Sequence, residues 1–399
     1  MLQSKNPLIR RILSTLFIIF ILRLGTFIPV PHVDQRYLDN AVSSNLLFQI
    51  INNTTTNSKL GLFSLGIIPY INASIVIQLL TSIVPKLERL QKEEGETGRK
   101  TLKTYNRILT FLFALQQGIS IALSARVTQF NWNTTILIDV ILSITVGGLI
   151  ILWLSEQINE IGIGNGPSVI IATSIVSSLP TNIKDFTTLN SINVGQLILM
   201  LILVSCIVFV QEATRKIPLI SAKQLFSRVT NTNDKDTYLP LRINQGGVMP
   251  IIFTSATIGF IASNLKPILQ FLPNSLDSRS LLFTVGFTVL KFSLILSFTF
   301  FYSTIILNPK EIAKDLNKMA VAIKGVRPGL QTEQFLTQTL NRLATLGALF
   351  LAILVILPNV KTESSIGLTS FLILISIVTE LERQILTFFI SKSYNNNLS

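Results

Sequence analysis

Charge is scarce in this sequence. Asp, Glu, Lys and Arg make up 13% of its 399 residues, against about 25% in a soluble chain. Ile, Leu, Val and Phe fill the gap in long runs, and hydrophobic residues reach 49%. There is one cysteine, Cys206, inside an apolar run. An intrachain disulfide and a thiol–metal cluster are therefore excluded, and Cys206 reads as a small buried residue. The sole histidine, His32, follows Pro31 at the end of the first apolar segment. It has no partner residue that would make it a ligand or a base, which argues against a metalloenzyme or a His-dependent hydrolase. No metal, no cofactor and no enzymatic activity are expected.

A run of about 20 apolar residues crosses a bilayer as a helix, since 1.5 Å per residue covers roughly 30 Å of hydrocarbon. Many such runs in one chain mean a helical bundle, because open sheets leave unsatisfied edges in lipid. Apolar length against polar breaks predicts about ten spans, near 12–30, 67–85, 105–125, 135–155, 166–181, 192–211, 247–264, 283–307, 338–358 and 366–388. The first is too long for a cleavable signal, contains Arg23 and lacks a small-residue cleavage site after it. The fifth is short and follows Gly162, Gly164 and Gly166, while a weakly apolar piece near 57–66, too short to cross alone, precedes the second. Short or interrupted segments of this kind line a cavity inside the protein, away from lipid.

Ionisable residues are nearly missing from the spans. Asp139 is close to the start of its span, Lys291 is placed to snorkel outward, and Arg23 lies toward the far end of the first. A transporter or pump keeps functional charges at midplane; here there is neither a proton relay nor an acidic ring for cations. A membrane-embedded enzyme would need paired acids or His/Cys clusters in the spans, and these are absent too. What remains suits a passive conduit driven from outside. The Gly147-Gly148 pair reads as helix packing. The "GIGNG" at 162–166 follows a membrane helix and has no βαβ context, so it reads as a tight turn and not as a phosphate loop.

The positive charge that is present is distributed unevenly. Of 33 Lys and Arg, about 24 fall on one set of alternate connections or the span ends beside them and about 8 on the other, with Arg23 deeper inside a span. The rich set holds Lys86–Arg107, Arg215–Arg242 and Lys310–Arg342 as well as both termini. By the positive-inside bias, both termini face the cytosol or its equivalent compartment, and the net charge of +13 reflects that bias before any nucleic-acid role. Loops 212–246 and 308–337 are longer than topology requires, with ends capable of helix, and suggest a docking surface for a large soluble partner. Abundant Asn and Ile with sparse Ala is a bias of AT-rich genomes, organellar ones included.

Six ordered stretches then resemble one family: "LGIIPYINASIVIQLL" (65–80), "EGETGRK" (94–100), "GIGNGPSVII" (162–171), "LPLRINQGGVMP" (239–250), "NPKEIAKDLNK" (308–318) and "GVRPGLQT" (325–332). With "RLGTFIPVP" (23–31) they are similar to the signatures of the SecY family, over essentially the whole chain. The resemblance implies an all-α membrane protein of about ten transmembrane helices in two pseudo-symmetric halves of five, a clamshell around an hourglass pore. The N-terminal half would be 1–185 and the C-terminal half 186–399. Residues 57–66 would be a small re-entrant plug helix, including Leu60, Gly61, Leu62, Phe63 and Ser64. The family's apolar pore ring maps to Ile67, Ile71, Ile171, Ile175, Ile252 and Ile373; β-branched side chains there make a stiff, water-repelling gasket.

The lateral gate would lie between spans 2–3 and 7–8, with polar residues Asn72, Gln78, Gln117, Thr254, Ser255 and Thr257. Polar groups bonding across helices are worth about 0.6–2 kcal/mol each, weak enough for a gate. Arg327 matches the position at which the family's loop meets the motor ATPase SecA or the ribosome, with Lys324, Arg228, Arg242 and Lys216 on the same docking face. Partners implied are a SecE-type small subunit, SecA, the ribosome, signal sequences, unfolded precursors and membrane lipid. A SecG-type third subunit is left open, and nucleic acid enters only as ribosomal RNA of a docked ribosome. Short loops and the Asn/Ile bias suit a plastid-encoded member in the thylakoid membrane, with a bacterial plasma membrane as the alternative.

Overall fold

The computed structural model describes residues 7–31, 33, 61–92, 95–126, 133–188, 194–221, 238–247, 249–255, 257–258, 278–356 and 368–398. Helix α1 (Pro7–Phe27) opens with proline at its first position, where the missing N–H costs nothing. Helix α2 (Ile68–Ile83) likewise carries Pro69 in its first turn. Pro85 stops it: α3 (Pro85–Lys92) leaves at 107° to α2, because a proline cannot continue the ladder and pushes Val84 to extended geometry. There follow α4 (Gly95–Arg126), α5 (Thr134–Ile161), α6 (Gly166–Thr188) and α7 (Val194–Glu212). A helical stretch at 249–255 continues at 257–258. Then come α8 (Ser278–Ile306), α9 (Pro309–Lys318), α10 (Leu330–Ile356) and α11 (Leu368–Leu398).

Helix thus occupies each of the ten expected positions, the seventh only where it is described. By length and apolarity, α5, a stretch opening at Thr288 in α8, and α10 suffice to cross a membrane among the described residues, with the bent pair α2–α3 as a fourth. Exposed Phe17, Phe20, Leu24 and Phe27 give α1 a surface suited to hydrocarbon. Arg23 lies over the Phe27 ring at 5.3 Å, its stem half-buried. Cys206, read from sequence as buried, is exposed. In α7 the neighbouring Ile207 takes the core position, and the turn of the helix sends Cys206 away from it.

The second departure is a three-stranded antiparallel sheet where only helix-capable loop ends were expected. Strand β1 (Thr214–Ser221) lies between β2 (Tyr238–Arg242) and β3 (Val321–Ile323). The registers include Lys216↔Pro240 and Leu219↔Ile323. Its buried face (Ile217, Leu241, Ile323) packs on Leu336, Leu340 and Leu343 of α10, with Ile312 and Leu316 of α9 alongside.

The chain forms two compact units. One contains the described parts of 1–190, 255–273 and 377–399, the other those of 191–254 and 274–376. The core of the first joins Val30, Val33 and Leu65 to Ala114, Ile121 and Ala122 of α4 and Val140 and Ile144 of α5. The core of the second joins Ile207, Ile251, Ile295, Leu351, Ala352, Leu354 and Leu372.

Candidate functional site

Residues 61–67 enter α2 as a run of turns, not as the short helix expected for 57–66; Leu60 and the rest of 57–60 lie outside the described residues. Gly66 N–H donates to the Phe63 carbonyl at 2.9 Å and Ser64 N–H to the Gly61 carbonyl at 3.1 Å, with the Ser64 hydroxyl donating to that same carbonyl. Gly66 sits at φ +56, a left-handed conformation that breaks helical continuity before α2 begins. The segment is tied down at its start. Leu62 N–H donates to the Ile28 carbonyl at 2.8 Å, and Gly61 bridges Pro29 in antiparallel fashion. Leu62 is half-buried, while Phe63, Ser64 and Leu65 are buried.

Directly after it come Ile67 and Ile71, buried and one helical turn apart, Ile71 N–H donating to the Ile67 carbonyl at 3.1 Å. Ile171, half-buried, and Ile175, buried, have the same spacing on α6, so each pair shares one face of its helix. These four belong to the first unit. Ile252, buried, and Ile373, half-buried against the core around Leu372, belong to the second.

Two of the expected gate residues, Gln78 and Thr254, make hydrogen bonds along their own helices. Gln78 Nε2 donates to Ser74 Oγ at 3.4 Å, and the Gln78 carbonyl accepts from Thr81 Oγ1 (2.9 Å) and Ser82 Oγ (3.1 Å). Thr254 Oγ1 donates to the Pro250 carbonyl at 2.7 Å. Asn72 is 6% exposed, and its Nδ2 has no hydrogen-bond partner among the described residues. Gln117 on α4 and Thr257 are half-buried, and Ser255 is exposed. Helix α4 packs against α2, which brings the two glutamine-bearing helices side by side.

The cations expected on a docking face lie on the sheet or in the turn after it, apart from Arg228. Lys216 on β1 sits over the Tyr238 ring of β2 at 4.8 Å, and Arg242, exposed, ends β2. Strand alternation puts Lys216, Tyr238 and Arg242 on the face opposite Ile217 and Leu241. Lys324 N–H donates to the Pro218 carbonyl at 3.3 Å, and Arg327 is exposed in the turn that follows, its carbonyl accepting from Thr332 Oγ1 at 2.9 Å. Arg228 lies outside the described residues.

Two features went unseen in the sequence. Arg107 of α4 binds Glu156 of α5 through two nitrogens, Nε to Oε1 at 2.9 Å and Nη2 to Oε2 at 2.6 Å, and Lys103 reaches Glu160 at 3.0 Å. Two cations and two carboxylates at i, i+4 on successive helices were the available signal. The second is the turn at 162–166. Gly164 N–H donates to Gln384 Oε1 of α11 at 2.9 Å and Gly166 N–H to Asn159 Oδ1 at 2.7 Å, while Gly162 lies against Thr15 of α1. The tight turn read from sequence is thus also where α1, α5 and the middle of α11 meet.

The SecY family model matches residues 61–381. This chain belongs to the SecY family. Among curated relatives, "Protein translocase subunit SecY" of Guillardia theta is 40% identical, covering 98% of this chain and 97% of that one. The protein of that name from Porphyra purpurea is 41% identical (99% of each), and that of Synechocystis 38% (96% and 92%). Solved structures agree in fold at low identity. One described as a protein conducting channel has TM-score 0.69 at 18% identity, over 96% of this chain and 93% of the other. A SecY whose plug domain is described as stabilizing the closed channel scores 0.68 at 18%, over 98% and 95%. Sec61 from a canine ribosome–channel complex scores 0.65 at 17%, over 96% and 93%.

Proposed function

We propose that the chain is the channel subunit of a Sec protein translocase, passing unfolded polypeptides across a membrane and releasing hydrophobic segments sideways into it. The observation that carries this reading is the SecY match over 61–381, supported by full-length relatives near 40% identity that bear the name of translocase subunits. Spans nearly free of midplane charge fit a passive conduit.

In this reading Ile67, Ile71, Ile171, Ile175, Ile252 and Ile373 form the pore gasket between two pseudo-symmetric halves, 1–185 and 186–399. The segment around Gly61–Ser64 is the plug. Asn72, Gln78, Gln117, Thr254, Ser255 and Thr257 flank the lateral gate. The sheet cations Lys216, Arg242, Lys324 and Arg327, with Arg228, receive a SecA motor or a ribosome; the ribosome is supported by the Sec61 relative's complex. A SecE-type subunit clamps the halves, with a SecG-type subunit as a further component. The algal and cyanobacterial relatives and the Asn/Ile bias favour a plastid thylakoid membrane with both termini stromal.

The test is site-specific crosslinking from Ile71 and Ile175 to a stalled secretory precursor in native membranes. Adducts at both positions that require SecA and ATP support the channel reading. Absence of adducts from a properly assembled channel refutes it.

A further inference from the structure

We propose that the resting position of the 61–67 segment is set by a two-sided glycine notch, Gly25 on α1 and Gly147 on α5, which are the positioning residues of the closed channel. The inference rests on the channel reading above and deepens it. Gly25 is buried in α1, and a Cβ built there would overlap the Phe63 ring. Gly147 is buried in the middle of α5, and a Cβ there would overlap the Leu62 carbonyl. Two glycines on different helices therefore admit two consecutive residues of one segment, one by its side chain and one by its main chain.

Between them the segment is fixed in register. Leu62 N–H pairs with the Ile28 carbonyl at 2.8 Å and Gly61 bridges Pro29. Gly61 itself could carry no Cβ without meeting the Thr26 carbonyl at 2.5 Å. The docking is thus steric and partly backbone-directed: it needs no charge, only the Phe63 ring and the Leu62 main chain, and it leaves the segment releasable as a unit. The Gly147-Gly148 pair, which sequence alone assigned to helix packing, divides by function. A Cβ on Gly148 would meet Leu65 Cδ1 at 3.5 Å and the Ala114 side chain at 3.7 Å, ordinary van der Waals contact.

That difference one residue apart supplies the test. The full-length channel with its native small subunits is placed in planar bilayers. Resting ion conductance and tolerance of a weakened signal sequence are read for Gly147→Ala, Gly148→Ala, Gly25→Ala, Phe63→Ala and the pair Gly25→Ala/Phe63→Ala. Overpacking a rigid site shifts the docked-to-undocked ratio by between about fivefold and about 150-fold. Gly147→Ala and Gly25→Ala are expected to raise leak on that scale and to accept the weakened signal, while strong precursors still translocate. Gly148→Ala is expected to remain sealed. Since the clash at Gly25 is with the ring, adding Gly25→Ala to Phe63→Ala should change nothing further. The proposal is overturned if Gly147→Ala assembles and stays as tight as wild type, if Gly148→Ala leaks as much as Gly147→Ala, or if Gly25→Ala adds its full effect to Phe63→Ala. Failure of wild type itself to translocate any precursor would refute the channel reading instead.

Discussion

Glu156 is 7% exposed near the end of α5, and no other carboxylate among the described residues is buried so deeply. Arg107 neutralises it in a two-nitrogen grip, with Lys103 at 4.0 Å on the same carboxylate. Such forked contacts are charge-assisted and geometrically specific. The Arg107 side chain is 51% exposed, so solvent screens part of the gain. Glu156→Gln keeps the shape and removes the charge, and should lower unfolding free energy by about 1–2 kcal/mol. Lys103→Gln, at an exposed site, should cost under about 1 kcal/mol. A double-mutant cycle between Arg107→Gln and Glu156→Gln in detergent melts measures the coupling; additive losses would dismiss it. In the sequence, Lys103 and Arg107 could be read only as orientation-setting cations, because i, i+4 spacing on each helix does not say that residues 49 positions apart meet. Both lie on helices that the apolar periodicity did locate, so what was missed was their pairing and not their placement.

At the scale of elements, the sheet is the part that the sequence concealed. Strand β1 reads TRKIPLIS and β3 is three residues long, too short and too irregular for a period-two pattern to stand out. A proline in β1 argues further against a strand, and Pro218 is tolerated at the last position of the β1–β2 register. The pairing joins the chain after α7 to the chain after α9 across some hundred residues, a relation that no local propensity encodes. The long helices were legible for the opposite reason: they are apolar runs with a proline or glycine near a boundary, unlike the short polar α3 and α9. Leu241 is 1% exposed beneath the sheet, and Leu241→Ala should cost about 2–5 kcal/mol. Trypsin cleavage at Arg215, Lys216 and Arg242 should accelerate as the strands separate; an unchanged digestion pattern would show that the sheet does not depend on this contact. Arg327→Glu probes the same platform without unfolding it, since its side chain is exposed. It should abolish motor-driven transport while digestion stays as in wild type, and normal transport would remove Arg327 from the docking face.

For the whole molecule, ordered motifs revealed the family, and charge is the ground on which an orientation is expected. The motif "GIGNGPSVII" fixes where α5 ends and α6 begins, yet the contacts of its glycines with α1 and α11 depend on residues more than a hundred positions away. Local chemistry set the turn, and only the folded chain shows what the turn holds. Orientation rests on one argument: about 24 of 33 basic residues on one set of connections or the span ends beside them. Cytoplasmic-type loops retain Lys and Arg because translocating them is costly. In a Cys206→Ser background, Tyr238→Cys on the sheet and Asn133→Cys before α5 place single thiols at exposed positions on opposite sets of connections. A membrane-impermeant maleimide added to sealed vesicles should label position 238 from the side of the basic connections, where SecA is proposed to dock, and position 133 only after the vesicles are opened. Labelling of both from one side would mean that the charge bias does not set the topology. The sheet and the start of α5 would then share a compartment, and the docking role of Lys216, Arg242, Lys324 and Arg327 would fall with it.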